Sequence, residues 1–210
     1  MGAQTKMSTT VMPDQTTPKI LVIYAHPEPL NSIANQTMLL NIASLPHVTV
    51  HDLYATYPDF FIDVHAEQQK LLEHDVIVFQ HPLYMYSCPA LLKEWFDRVL
   101  AKGFAFGGQT ALHGKYWRSV ITTGGKKEAF DERGYNKYPL DQILQPFELT
   151  AALCCMNWME PLVLYWSRNV SDMERYQHAE HYRHWLQHPL ATQGELDGEA
   201  VIFYKAAWCF

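Results

Sequence analysis

A histidine and short polar side chains follow the first apolar run of the chain, at a point where glycines would be ordinary. The run KILVI, residues 19–23, leads into YAHPEPLNSIAN, residues 24–35, which contains His26, Asn31 and Ser32 but no glycine. Asn31 and Ser32 are candidate N-cap residues of a following helix, whose first N–H groups and positive dipole end favour an anion. The stretch therefore predicts a phosphate-binding turn built from a histidine and a helix N-terminus, with a loop histidine bonded to backbone as the alternative for His26.

Two later segments offer a different chemistry. The segment HPLYMYS, residues 81–87, is rich in flat and apolar side chains, and TTGG, residues 122–125, combines short hydroxyls with glycines. Glycine allows a ligand to approach the backbone closely. Each segment alone is also explained by ordinary packing or by a strand end turning away. Their chemistry therefore depends on whether the fold brings them together.

Alternating strand and helix patterns must position these segments. The hydrophobic periodicity predicts strands at 19–25, 47–53, 75–80, 117–123 and 160–166, and helices at 32–44, 65–74, 89–101, 140–156 and 171–187. All the strands except the second are continuous apolar runs, which is typical of a parallel sheet covered on both faces. The second strand alternates apolar and polar residues, which indicates an edge strand.

This alternation predicts an α/β fold, namely a flavodoxin-like doubly wound five-stranded parallel sheet of order 2-1-3-4-5 with helices on both faces. In that order the carboxyl ends of strands one, three and four meet at one edge, where ligands bind in such sheets. A phosphate seat, an apolar wall and a polar, glycine-lined strip are what flavin mononucleotide (FMN) requires. We expect residues 1–18 to be a flexible leader, 19–189 the domain, and 190–210 a tail of uncertain structure.

Composition excludes some classes of protein. The 210 residues carry a formal net charge of −6, and no stripe of Lys and Arg predicts a nucleic-acid partner. No apolar run approaches the roughly 20 residues of a transmembrane helix. The four cysteines form no CxxC pair, which fits reduced thiols. We therefore expect a cytoplasmic protein without a transmembrane segment.

A histidine-rich helix could suggest a metal site. His181, His184 and His188 share one face of the predicted helix 171–187 and its end. The third histidine lies about 10 Å along the axis from the first, too far for one ion on an unbroken helix. A solvated polar face is the preferred interpretation, and no metal site is predicted.

Four sequence blocks resemble a known family. They are YAHPEPLNSIAN, DLYATYPDFF, FQHPLYMYSCPALLKEWFDRVLAKGFAF and ITTGG, within about residues 18 to 190. In this order and spacing they resemble the flavodoxin-like NAD(P)H:quinone oxidoreductases of the DT-diaphorase type. Within that family they are most similar to the ancillary proteins of bacterial glutathione-gated potassium efflux systems.

The resemblance implies a flavin site at named positions. Its phosphate turn maps onto His26, Ser32, Ile33, Ala34 and Asn35, its ring segment onto Pro82, Leu83, Tyr84, Met85 and Tyr86, and its second ring segment onto Thr122, Thr123, Gly124 and Gly125. It also implies FMN, with FAD left open, NAD(P)H as electron donor, a quinone or other electrophile as acceptor, and a homodimer.

One segment departs from the family pattern. The residues after TTGG read KKEAFDERGYNKYP, in which Phe130 stands near a family Tyr and no His follows. Tyr135 is the candidate substitute and the one predicted catalytic residue. Two functions stay open: a two-electron NAD(P)H dehydrogenase (quinone), and a non-catalytic flavin-binding subunit that docks on and activates a potassium efflux transporter at the cytoplasmic face of the inner membrane. A phosphorylatable receiver is set aside, because His26 and His81 stand where it needs acidic residues.

Overall fold

Five parallel strands form the central sheet. The computed structural model describes residues 17–108 and 110–190. The strands are β1 (Ile20–Tyr24), β2 (Val48–Asp52), β3 (Val76–Pro82), β4 (Tyr116–Thr122) and β5 (Asn157–Leu164). Their order is β2-β1-β3-β4-β5, which confirms the predicted topology. Most of the predicted leader and tail lies outside the described residues, and the domain boundaries stay a prediction.

Helices cover both faces of the sheet. They are α1 (Ile33–Ile42), α2 (Leu53–Thr56), α3 (Val64–Glu73), α4 (Ala90–Val99), α5 (Leu140–Leu153) and α6 (Asp172–Gln187). Helices α1 and α6 share one core layer, and α3, α4 and α5 share the other. The short α2 was not predicted; its start is capped by Asp52, which accepts a hydrogen bond from the Ala55 N–H at 3.1 Å. Across the described ranges, none of these helices combines the length and the apolar character needed to cross a bilayer.

Burial differs between the central strands and the edge strand β2. Every residue of β1 and β3 is buried, whereas Thr49 and Val50 of β2 are exposed. Strand β2 pairs with β1 alone, so one of its edges is open. The prediction of β2 as an edge strand is confirmed, although the apolar Val50 is exposed and the polar His51 is buried. The other edge strand, β5, was not identified as an edge by its pattern.

Helix α5 stops earlier than its pattern indicated, and β5 starts three residues before the predicted 160. The Met156 N–H donates to the Ala151 carbonyl at 2.9 Å and the Cys155 N–H to the Ala152 carbonyl at 3.0 Å. Cys155 has φ 55°, the left-handed conformation that ends many helices. No glycine marks this stop in the sequence. Cys88 and Cys154 are buried free thiols, in agreement with the prediction of reduced thiols for these two residues.

The ends of three neighbouring strands define one edge of the sheet. Tyr24, the last residue of β1, pairs in register with Gln80 of β3, and Pro82 of β3 pairs with Thr122 of β4. An aromatic cluster packs against one face of the sheet, with the Phe79 and Trp117 ring centroids 4.1 Å apart. The segments that follow β1, β3 and β4 therefore begin next to one another at this edge.

Candidate cofactor-binding site

A cavity of about 690 Å³ lies at this edge. Its volume falls within the roughly 300–1,000 Å³ common for small-molecule and cofactor sites. It is lined by His26, Glu28, Asn31, Ser32, Ile33, Ala34, Pro82, Leu83, Tyr84, Thr122, Thr123, Gly124, Ser167, Arg168 and Arg175. Among the predicted cofactor-binding residues, only Asn35, Met85, Tyr86 and Gly125 are not part of this lining.

His26 is a buried histidine in the wall of the cavity. Its Nδ1 accepts a hydrogen bond from the Glu28 N–H at 3.1 Å. Since a backbone N–H can only donate, Nδ1 carries no proton and the ring's own N–H is at Nε2. Burial lowers the pKa of His26, and the nearby Arg168 charge acts in the same direction. At neutral pH, His26 is therefore an uncharged hydrogen-bond donor.

The start of α1 differs from the predicted capped helix. Ser32 occupies the N-cap position, but its side chain makes no cap bond and instead accepts from Asn35 Nδ2 at 2.8 Å. The Asn31 side chain donates to the Glu28 carboxylate at 3.2 Å. Side-chain capping by Asn31 or Ser32 is therefore wrong. The helix presents its positive end to the cavity without a side-chain cap, a common arrangement for anion binding.

The predicted ring segment splits into an inward and an outward part. Tyr84 and Ser87 exchange two backbone hydrogen bonds, of 3.0 and 2.9 Å, around a two-residue turn. The two central residues, Met85 and Tyr86, have φ angles of 47° and 64°, as in a type I′ turn. Met85 is 89% exposed and Tyr86 54% exposed. Pro82, Leu83 and Tyr84 thus line the cavity, whereas the turn directs Met85 and Tyr86 elsewhere.

The strip after β4 is open where the cavity needs space. A Cβ atom at Gly124 would meet no atom within 4 Å, whereas one at Gly125 would lie 3.2 Å from the Phe130 ring. Thr123 Oγ1 donates to the Gly125 carbonyl at 2.8 Å and so fixes the turn. Gly124 therefore faces the cavity, and Gly125 packs against Phe130.

The family model for the flavodoxin-like fold matches residues 18–188. The chain belongs to this flavodoxin-like family. A curated relative, the glutathione-regulated potassium-efflux system ancillary protein KefG of Yersinia enterocolitica, is 62% identical over 178 residues, which are 84% of this chain and 97% of the relative. The resemblance to the ancillary proteins of efflux systems is confirmed by this identity.

Two solved structures share the flavodoxin-like fold over most of the chain. General stress protein 14 of Treponema denticola, solved in complex with FMN, is 34% identical with a TM-score of 0.77 and covers 80% of this chain and 98% of its own. An NADPH-quinone reductase from P. pentosaceus is 31% identical with a TM-score of 0.75 and covers 81% and 98%. These likenesses agree with the predicted quinone-reductase resemblance.

One wall of this flavodoxin-like site was missed by the sequence analysis. The turn between β5 and α6 supplies Ser167 and Arg168 to the lining, and the first turn of α6 supplies Arg175. Arg175 is buried, pairs with Asp172 and donates to the Val170 carbonyl at 3.1 Å, but its Nε has no partner among the described residues. The signal was available, because the segment after any parallel strand starts at the same edge of the sheet.

Tyr135, the predicted catalytic residue, does not line the cavity and is 87% exposed. The Phe130 ring lies 5.7 Å from the Tyr165 ring and against Gly125. Tyr86 Oη donates to Asn136 Oδ1 at 3.3 Å, which joins the turn after β3 to the segment that carries Tyr135. A catalytic role of Tyr135 stays a prediction.

The histidines of α6 form no metal site within residues 17–108 and 110–190, where no group of three or more His, Cys, Asp or Glu side chains could hold an ion. His178 is half-buried, and desolvation lowers its pKa to about 4, with the neighbouring His181 and Arg118 acting in the same direction. It is therefore neutral at physiological pH.

Proposed function

We propose that this protein is a flavin-dependent NAD(P)H:quinone oxidoreductase that binds FMN in the cavity. The observation that carries the proposal is the meeting of three separate segments around one cavity: His26 with the start of α1, Pro82 to Tyr84, and Thr122 to Gly124. The FMN bound to the Treponema relative and the NADPH-quinone reductase name of the other structure support the same cofactor and reaction class.

The donor groups of the cavity fit a flavin phosphate. The phosphate group is an anion that accepts several hydrogen bonds. His26 has an N–H at Nε2, the start of α1 has no side-chain cap, and the Arg175 side chain is part of the lining. Arg168 adds a second cation to the lining.

The residues of the chain would bind and orient the cofactor, which would supply the transfer of an electron pair between NAD(P)H and a quinone. The Leu83 N–H donates to the Thr122 carbonyl at 2.8 Å, so the apolar wall and the hydroxyl strip form one rigid unit. Leu83 and Tyr84 present flat or apolar surface that excludes water from a ring. A cysteine nucleophile is not required, and burial raises the pKa of Cys88 to about 11, which keeps it a thiol.

Flavin titration tests the proposal. The purified protein is titrated with FMN and, separately, with FAD, and the loss of free flavin fluorescence gives each dissociation constant. NADH or NADPH is then added without oxygen, followed by a quinone. We expect FMN binding, bleaching of the flavin absorption by the nicotinamide and its return with the quinone. Tighter binding of FAD would correct the cofactor, and no binding of either flavin would overturn the proposal.

Two arginines of α6 provide a matched pair of variants. Arg175→Gln removes a charge from the cavity and should weaken FMN binding about tenfold or more, because hydrogen bonds to ionised groups are strong. Arg183 lies outside the lining and bonds to Ser44 Oγ at 3.1 Å. Arg183→Gln should therefore leave the FMN dissociation constant unchanged. Equal effects of the two variants would contradict the placement of the phosphate.

A second function has its own support. The KefG relative is named an ancillary protein of a potassium efflux system. In this chain the group near the family Tyr is the Phe130 ring, which has no hydroxyl, and Tyr135 lies outside the cavity lining. We infer a flavin-binding subunit that docks on a potassium efflux transporter at the cytoplasmic face of the inner membrane and favours its active state.

Reconstituted transporter separates the two functions. Tyr135→Phe is the first variant, because it removes the hydroxyl of the predicted catalytic residue while leaving the cavity lining intact. A fall in quinone turnover with unchanged FMN affinity would support a catalytic role for Tyr135. Activation of the transporter by a flavin-loaded variant that no longer turns over would support the regulatory function, and activation by turning-over protein alone would make catalysis part of it.

The proposal includes a homodimer. Met85 and Tyr86 are exposed apolar side chains directly beside the cavity, and a subunit boundary there would cover them. Sedimentation equilibrium of the wild type and of Met85→Glu tests this: the wild type should be a dimer, and a charge at this position should weaken association. A wild-type monomer at micromolar concentration would contradict it.

A further inference from the structure

The buried side-chain amide of Asn35 binds two hydroxyl groups of the cavity wall. Asn35 Nδ2 donates to Ser32 Oγ at 2.8 Å and to Thr122 Oγ1 at 3.3 Å. Ser32 lies at the start of α1 and Thr122 at the end of β4, and both line the cavity, whereas Asn35 is completely buried. Because each hydroxyl accepts from Asn35, each keeps its O–H as a donor for a ligand.

Gln80 determines which way the Asn35 amide faces. Gln80 is completely buried on β3, and its Nε2 lies 3.0 Å from Asn35 Oδ1 and 3.4 Å from the Asn35 backbone carbonyl oxygen. A backbone carbonyl can only accept, so the NH₂ group of Gln80 must face Asn35. The Oδ1 atom of Asn35 therefore faces Gln80, and its NH₂ group is turned toward the two hydroxyls.

The opposite orientation of Asn35 would have a chemical consequence for the cavity. Its oxygen would lie beside Ser32 and Thr122, and both hydroxyls would donate to it rather than to a ligand. Since the two ends of a side-chain amide are almost equal in size, packing alone does not select one orientation. The hydrogen bond from Gln80 makes the selection.

Gln80 is a costly residue for the fold alone. Its Oε1 is buried and has no partner among the described residues. An unpaired buried acceptor lowers stability, and apolar side chains in place of both Gln80 and Asn35 would avoid this cost, whereas replacing Gln80 alone would leave Asn35 Oδ1 without its donor. A side chain that breaks a packing rule in the interior, directly beneath a cavity, is expected at functional sites.

We infer that Gln80 is a positioning residue for the cofactor: it orients Asn35 so that the Ser32 and Thr122 hydroxyls donate into the cavity. Gln80 itself is not part of the lining. The inference rests on the proposed FMN site, where Ser32 belongs to the phosphate turn and Thr122 to the strip beside the ring.

Two substitutions at this position should have different effects. The carboxylate of Gln80→Glu only accepts hydrogen bonds, so it takes the NH₂ group of Asn35 and turns the Asn35 oxygen toward the hydroxyls. FMN affinity should fall about tenfold or more at the alkaline end of the pH range, once that carboxyl is ionised. Gln80→Met removes the amide at similar volume and should weaken FMN binding several-fold at every pH.

A pH series provides a readout that a merely structural role would not move. Burial raises the pKa of a carboxyl group, so the new side chain should become protonated as the pH falls and regain an O–H donor toward Asn35. The FMN affinity of Gln80→Glu relative to wild type should then recover. Tyr24 and His26 lie near Gln80 at the end of β1 and also titrate, but both are present in both proteins. The ratio of the two FMN dissociation constants at each pH therefore removes their contribution to first order.

A double-mutant cycle decides the inference. The FMN dissociation constant is measured for wild type, Gln80→Met, Ser32→Ala/Thr122→Val, and the triple variant. If Gln80 acts through the two hydroxyls, Gln80→Met should have almost no further effect in the background that lacks them. Ser119→Ala is the control, because Ser119 is a buried residue of β4 that accepts from Trp117 Nε1 at 3.1 Å and is not part of the lining. It should lower stability without changing FMN affinity.

The outcomes are distinguishable. Failure of the wild type to bind FMN overturns the proposed function and this role with it. Wild-type binding together with equal losses from Gln80→Met in both backgrounds, or with no loss at all, overturns the role of Gln80 and leaves the proposed function standing. If Gln80→Glu does not fold, the cycle with Gln80→Met still decides.

Discussion

Trp95 Nε1 donates a hydrogen bond to Glu67 Oε2 at 2.7 Å, and both residues are completely buried. Tyr57 Oη and Lys70 Nζ donate to the other carboxylate oxygen, at 2.8 and 2.9 Å, and His51 Nε2 lies 2.9 Å from it. Burial raises the pKa of Glu67, but these donors outweigh it and hold the pKa at about 2. An ionised carboxylate therefore joins β2, α3 and α4 inside the core.

Glu67→Gln should destabilise the fold in a pH-dependent way. A carboxyl whose pKa is lowered on folding adds stability above its ordinary pKa, and that contribution disappears as the pH falls from about 4.5 to about 2. We expect the free energy of unfolding to drop by about 3 kcal/mol at pH 7, and the difference from wild type to narrow below pH 4.5. Urea unfolding at several pH values measures this. Glu73→Gln, at the exposed end of α3, is the control, and a difference that stays constant with pH would contradict the assignment.

His26 should make FMN affinity depend on pH. Burial lowers its pKa in the flavin-free protein. A bound phosphate favours the protonated ring and raises that pKa, so affinity should increase as the pH falls through and below the ordinary histidine value of about 6.5. His26→Gln keeps a hydrogen-bond donor but does not titrate, so its affinity should be lower and should change less with pH. The FMN phosphate titrates in both proteins and serves as the internal reference. Parallel pH profiles would show that His26 does not contact the phosphate.

Much of this fold could be predicted because a parallel sheet leaves few choices. The buried runs of β1, β3 and β4 carry their pattern in the residues themselves, and the strand order then brings His26, Tyr84 and Thr122 to one edge. The helices α1, α3, α4, α5 and α6 were also identifiable, with predicted bounds within a few residues of those in the structure. The sequence thus predicted three walls of the cavity from the strand order together with the residue types of the segments.

The parts of the site that could not be predicted depend on long-range contacts or on backbone conformations that the residue types do not indicate. Met85 and Tyr86 adopt positive φ angles without being glycine or asparagine, so their outward direction could not be read from the sequence. Arg175 reaches the cavity because α6 packs beside α1, which is a long-range contact. The link from Gln80 to Asn35 joins residues 45 positions apart in the chain, across β3 and α1. Hydrogen bonds of that kind leave no periodic signal.

Gly124→Ala should separate cofactor affinity from stability. A Cβ at this position meets no atom within 4 Å, and the backbone needs no left-handed conformation. We therefore expect the melting temperature to stay within a degree or two of wild type, or to rise slightly through the unfolded state. The added methyl group projects into open space beside the cavity lining, and FMN affinity should fall several-fold. Differential scanning fluorimetry without flavin and fluorescence titration with FMN give the two quantities.

Gly125→Ala is the matched comparison for Gly124→Ala. Its Cβ would lie 3.2 Å from the Phe130 ring, so the ring must shift and stability should drop. Because Gly125 is not part of the lining, any fall in FMN affinity of Gly125→Ala should result from that loss of packing and not from a direct clash with the cofactor. A larger melting-temperature change at Gly124 than at Gly125 would mean that the strip is arranged differently in solution.

The turn at Met85 and Tyr86 should store conformational strain. A type I′ turn favours Asn-Gly, and a bulky residue in the left-handed region costs about 1–2 kcal/mol. Met85→Asn/Tyr86→Gly should therefore raise the free energy of unfolding by about 1–2 kcal/mol in urea. Met85→Ala/Tyr86→Ala removes the same side chains but keeps the unfavourable backbone, so it should give no such gain. If the double alanine variant gained as much, exposed apolar surface and not backbone strain would explain the effect. A fall in quinone turnover in both variants, with FMN affinity unchanged, would show that the strained turn is kept because its outward side chains serve the reaction.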